Sequence, residues 1–153
     1  MSARHTGPVL SESAVEPRLS FVTLGVSDLA RARAFYEGLG LVAAAASNPQ
    51  VTFFQLSQGL VLALFGREDL AEDAGMPMQP GSAIALAHNV RSAEEVDALL
   101  DRARALGGRI TREGSMAPWG IYRGYFADLD GHAWEVAWNP MVRWDEAGGV
   151  WLD

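Results

Sequence analysis

The chain states one structural pattern twice, and that duplication limits what it can fold into. Residues 19–65 read strand, helix, strand, strand, and residues 83–138 repeat the order. Each helix begins just after a valine, Val26 or Val90, and stops at Leu-Gly, Leu39-Gly40 or Leu106-Gly107. Each last strand follows a turn glycine, Gly59 or Gly131. A repeat of this size means two similar supersecondary units that bury their apolar faces against each other. Two such units share a cleft, and function is to be sought there.

Alternation assigns the faces. From Leu19 to Val26, Val22, Leu24 and Val26 form one face of a strand, and Phe21, Thr23 and Gly25 form the other. Ser27 or Asp28 caps a helix with apolar positions at Leu29, Ala32, Phe35, Tyr36 and Leu39. Strands over 51–56 and 60–65 follow the break at Asn48-Pro49. Residues 67–82 read as a linker with room for a helical turn over 67–73; Met76 and Met78 there pack plainly or flank a pocket. The second unit opens with a strand over 83–90 and a capping box, Ser92 to Glu95. Val96, Leu99, Leu100, Ala103 and Leu106 make its helix stripe. A strand over 109–111, an irregular piece through Trp119, and strands over 124–127 and 133–138 complete it.

Composition excludes several partners. With 19 acidic against 12 basic residues and a net charge of −7, the chain is not built for nucleic acid or an anionic membrane surface. It has no cysteine, so thiolate chemistry and Cys-ligated metals are excluded. No apolar run approaches the roughly 20 residues of a spanning helix. Residues 1–17, which include His5, read as a polar, flexible tail without the apolar core of a signal peptide, so a cytoplasmic location is expected.

LGVSDLARARAFYEGLGL in the first unit, and GYFADLDGHAWEVAWNP with PWG before it in the second, resemble the vicinal oxygen chelate superfamily of glyoxalase I, extradiol dioxygenases and bleomycin-resistance proteins. The resemblance covers about residues 18–141. It implies an α+β fold of paired βαβββ modules forming a curled, open, mixed β-sheet. Module one spans about 18–66 and module two 83–141, with a C-terminal tail over 142–153. It also implies a homodimer, sometimes with exchanged halves, and the tail's Trp144 and Trp151 are compatible with an interface or with packing back. The superfamily hosts lyases, isomerases, dioxygenases and pure binding proteins, so fold does not fix function.

In metal-using members the resemblance implies four ligand positions, which fall here on Phe21, Ala63, Ala85 and Glu135. Only Glu135 can ligate, so no cofactor is expected and a divalent metal is disfavoured. His88 is the outside candidate, but alternation turns it to the helix side, where a hydrogen-bonded core role is the plainer reading. His132 reads as a turn-shaping residue. Ala133, Glu135 and Ala137 alternate with Trp134, Val136 and Trp138, so Glu135 faces the cleft as a general base, a ligand anchor or a structural remnant. Aromatics among glycines often line sites. Trp119 is the expected wall, or a cover for the sheet's end. Tyr122 and Arg123 supply polar contacts, and Phe21, Phe53 and Phe65 complete an apolar pocket. The expected function is binding of a small, mostly apolar or aromatic molecule. The alternatives are a lyase, isomerase or dioxygenase using Glu135, and bleomycin-type drug sequestration.

Overall fold

A computed structural model describes residues 15–81 and 83–152; most of the predicted N-terminal tail, with His5, lies outside them. The first module runs β1 (Phe21–Val26), α1 (Leu29–Gly38), β2 (Val51–Gln55) and β3 (Val61–Gly66). The second runs β4 (Ala85–Asn89), α3 (Ala93–Ala105), β5 (Arg109–Met116), β6 (Tyr122–Ala127) and β7 (Ala133–Trp138). Between them lies α2 (Arg67–Ala74), and a small hairpin, β8 (Arg143–Trp144) with β9 (Val150–Trp151), follows. Strand orders are β1-β3-β2 and β4-β7-β6-β5. In both sheets the first strand is parallel to the last and the other pairs are antiparallel. This is the open, curled α+β arrangement expected. Among the described residues no helix is long and apolar enough to cross a membrane.

The helices start and stop where their sequence directs. Asp28 caps α1 by accepting from the Arg31 amide at 3.1 Å, and Ser92 caps α3 through the Glu95 amide at 3.2 Å. The capping box is offset by one residue, because the Glu95 carboxylate reaches the amide of Arg91, not Ser92. Gly40 and Gly107, just past the two helices, have φ of 112° and 98°, a region side chains resist. Two elements run longer than expected. The helical turn expected in the linker over 67–73 is there, as a helix of 8 residues, Arg67–Ala74. It packs on the first sheet, where a Cβ at Gly25 would lie 3.3 Å from Arg67 and Leu70 side-chain carbons. The strand placed at 109–111 continues to Met116, so Gly114, Ser115 and Met116 of the irregular piece belong to β5.

One core serves both modules. Leu24, Val26, Phe35, Tyr36, Phe54 and Leu62 from the first cluster with Val96, Leu100, Phe126 and Val136 from the second. Phe35 and Tyr36 of α1 meet Phe126 and Trp134 of the second sheet at 6.2 and 6.1 Å between ring centroids. Removing each such ring from water contributes about 2–3 kcal/mol. At the centre sits a buried carboxylate. Asp128 accepts from the Tyr36 hydroxyl at 2.6 Å and from the backbone amides of His132 and Asp130 at 2.8 and 3.0 Å. Its Oδ2 also lies 2.7 Å from His132 Nδ1. Trp134 Nε1 donates to the Tyr36 oxygen at 3.0 Å, closing the network. His132 therefore shapes the β6–β7 turn.

Burial pushes the Asp128 pKa up, but the bonds from His132 and Tyr36 outweigh it and hold the carboxyl below its usual range. A depressed carboxyl stabilises the fold above its unfolded pKa, and that contribution is lost as pH falls through the folded value. Asp128→Ala is expected to lower the unfolding free energy by about 3 kcal/mol in urea denaturation near neutral pH. Asp128→Asn should flatten the loss of stability below about pH 4. An acid limb identical in wild type and Asp128→Asn would assign it to other carboxylates.

Candidate functional site

The register fixes what each sheet shows on the face away from the core. On the first sheet, Phe21 lies beside Val61, Phe53 beside Ala63, and Phe65 between Gly25 and Val51. Residues paired across a ladder share a face, so Phe21, Phe53, Ala63 and Phe65 all stand on the open side. The rings of Phe21 and Phe53 come from strands flanking β3 and meet edge to face at 6.2 Å between centroids. They can meet only above β3, and Ala63 there is 2% exposed although it faces away from the core.

On the second sheet Ala85 lies beside Ala133, Ala87 beside Glu135, and Glu135 beside Tyr125. The pairing repeats that of the first sheet: Phe21, Ala63 and Phe53 correspond to Ala85, Glu135 and Tyr125. Tyr125 donates a short hydrogen bond to Glu135 Oε2. That bond, then burial and the Glu135 charge, raise the Tyr125 pKa, while Arg123 and Arg112 pull it down. Arg123 is on the same face, and its Nη1 donates to the carbonyl and hydroxyl oxygens of Ser115, each at 3.1 Å. Tyr125 and Arg112 escaped the sequence reading. Alternation from Gly124 would have found the first. The second depends on a bulge between Ile110 and Arg112, which no residue pattern announces.

Other expected site residues stand apart. Tyr122 pairs with Trp138 on the core side, and its hydroxyl donates to Asp97 of α3 at 2.8 Å, so it does not share the face of Glu135. Trp119 occupies the tip of the β5–β6 hairpin and is 69% exposed. Ala117 and Gly120 close that turn, with Gly120 at φ 89°, where a Cβ would be strained. His88 pairs with Val136, which places it opposite Glu135 in facing, as alternation indicated. It is exposed, however, and its ring makes no hydrogen bond among the described residues, so it is not a core histidine. Partial desolvation lowers its pKa, against an opposing pull from Glu95.

The donor set at the four family positions is two alanines, a phenylalanine and one carboxylate already bonded by a phenol. This does not fit a divalent ion, which needs several oxygen or nitrogen donors. No group of three or more His, Cys, Asp or Glu among the described residues could hold a metal. Two concavities lie beside α2. One of about 710 Å³ is bounded by Ser27, Arg67, Pro77 and Met78. One of about 420 Å³ touches Phe65, Gln50 and Asp73.

Known proteins agree with this architecture. Residues 18–136 match the family model of the Glyoxalase/Bleomycin resistance protein/Dioxygenase superfamily. A glyoxalase-related enzyme from Fulvimarina pelagi is 39% identical, with a TM-score of 0.84 over 90% of this chain and 99% of its own. A glyoxalase/bleomycin resistance protein/dioxygenase from Nocardioides is 26% identical, TM-score 0.68, over 83% and 86% of the two chains. A lactoylglutathione lyase from Agrobacterium tumefaciens is 26% identical, TM-score 0.61, over 81% and 95%. No curated protein matches the sequence.

Alkaline titration tests the electrostatics. The chain has 3 tyrosines, and all have raised pKa values: Tyr36 through burial, then Asp128; Tyr122 through its bond to Asp97; and Tyr125 through its bond to Glu135. While the protein stays folded, ultraviolet absorbance should show less than half of the phenol ionised at the ordinary midpoint of about pH 10. Glu135→Gln should bring one tyrosine down toward it. A tyrosine half-ionised there in the unaltered protein would refute the Tyr125–Glu135 bond or one of its counterparts.

Proposed function

Because this chain belongs to the Glyoxalase/Bleomycin resistance protein/Dioxygenase superfamily, we propose that it binds a small, largely apolar or aromatic molecule between its open sheet faces, with Glu135 and Tyr125 orienting the polar end. The observation that carries this reading is the asymmetry of the equivalent positions. One module offers a phenylalanine pair over an alanine, and the other offers a phenol bonded to a carboxylate. An aromatic wall with few polar groups is the usual make-up of a small-molecule site.

The reading includes a homodimer. In one chain the open faces remain wet, with Phe21 56% exposed and Glu135 partly exposed. A second copy that brought its first sheet over the second sheet of this one would join Phe21 and Phe53 to Glu135 and exclude water. The tail packs back, with the Arg91 guanidinium 4.2 Å from the Trp144 ring centroid, yet it leaves Trp151 53% exposed.

The enzyme reading stands second, supported by the description of the Fulvimarina pelagi neighbour as a glyoxalase-related enzyme. In it Glu135 takes a proton from the ligand as general base, and Tyr125 holds the carboxylate in place. Sequestration of a cationic glycopeptide draws no support from the face of Glu135, which also carries Arg112 and Arg123.

With 2-naphthol as probe, Phe21→Ala and Phe53→Ala are each expected to weaken binding about tenfold in calorimetry. Sedimentation should give twice the mass of one chain. A stoichiometric divalent ion that survives dialysis and is lost in Glu135→Ala would replace this reading with a metal-dependent one.

A further inference from the structure

Strand β5 carries two single-residue bulges. Ile110 pairs with Phe126, but Arg112 pairs with Tyr125, and Ser115 pairs with Arg123. Strict alternation from Arg109, which pairs with Ala127, would put Thr111, Glu113 and Ser115 on the open face and turn Arg112 to the core side. The first bulge reverses the phase and the second restores it. Between them Glu113 is turned to α3, where it pairs with Arg104, and Gly114 lies against Asp97 of the same helix. Arg112 takes the open face instead. Bulges that re-aim a side chain are frequent beside functional sites.

The open face of the second sheet therefore carries Arg109, Arg112 and Arg123 against one carboxylate, Glu135. Among the described residues none of these arginines has a carboxylate within ion-pairing distance. Arg123 is held by Ser115 through one nitrogen, which leaves the rest of its fork free, and the Arg112 side chain makes no hydrogen bond among the described residues. A cationic face on a chain of net charge −7 is not explained by packing. Guanidinium forks match carboxylate oxygens in pairs.

We infer that the ligand of this face is an anion of the aromatic carboxylate class, its carboxylate seated by Arg112 and Arg123 beside Tyr125. The inference rests on the small-molecule reading above and adds the charge that reading leaves open.

Benzoate and benzamide have nearly the same shape and differ in charge, so they separate the two claims. Titrated into the full chain and followed by amide NMR shifts, benzoate should move Arg123, Tyr125 and Glu135. It should bind at least about tenfold tighter than benzamide. Arg112→Ala should abolish that preference and Arg112→Lys should keep part of it. The preference should shrink in high salt, which screens exposed charges. Equal affinity for the two probes, a preference that survives Arg112→Ala, or benzoate shifts confined to other regions would each overturn the inference. Equal affinity with shifts at Phe21 and Phe53 would leave the small-molecule reading standing. Binding of neither probe would remove both.

Discussion

The buried carboxylate of Asp128 is the tie on which the arrangement depends. It sits in the turn between β6 and β7 and is bonded by a tyrosine from the helix of the other module. A buried charge must be fully satisfied or it destabilises the fold. Here the amides of Asp130 and His132, the imidazole of His132 and the Tyr36 phenol together satisfy it. These bonds set the length of the turn, and the length of the turn sets the phase of β7. A slip of one residue would send Trp134 into water and Glu135 into the core. The same network docks one module on the other, since the neighbouring Asp130 accepts from the Ser27 amide of the first. Position of the site and union of the halves thus share one cause.

The duplication is exact in register and broken in chemistry. In both sheets the same three positions meet on the open face, yet one set is Phe21, Phe53 and Ala63 and the other is Ala85, Tyr125 and Glu135. The two sets complement each other. Where one strand supplies a ring, its counterpart supplies an alanine. Where one supplies a bare phenyl, the other supplies a phenol with a partner. A pair of identical polar sets would set two carboxylates against each other, at a cost set by like charge. The divergence leaves one apolar wall and one polar wall, which the dimer reading would bring face to face.

Much of this was legible in the residues. The periods of two and of 3.6 located the strands and helices, and the Leu-Gly stops fell where positive φ occurs. The facing of Glu135 followed from the tryptophans on either side of it. What stayed hidden has definite causes. The phase of β5 changes twice at bulges, so Arg112 could not be assigned a face from alternation. Tyr122 sits in an aromatic, glycine-rich stretch that suggests polar contacts to a ligand, but counting from Glu135 across the ladder places it on the side of α3. The helix in the linker has a weak apolar stripe, and its place is set by the room that Gly25 leaves beneath it. His88 lies on the helix side by alternation but escapes burial; facing is a local property, whereas burial depends on what packs above.

That last distinction applies to the whole site. Alternation can bring a phenol, a carboxylate and arginines to one face, but it cannot supply a roof. In open water a carboxylate and a guanidinium attract each other weakly, and an aromatic ligand gains little from a single wall. Selectivity grows as water is excluded, because polar groups left unmatched then become costly. A face whose rings are still wet in the single chain is therefore half a site in energetic as well as geometric terms. On the dimer reading, the apolar wall that would hold a ligand is the same surface that gains from covering the second sheet. Assembly and recognition then draw on one set of side chains, and substitutions at Phe21 or Phe53 cannot weaken one without the other.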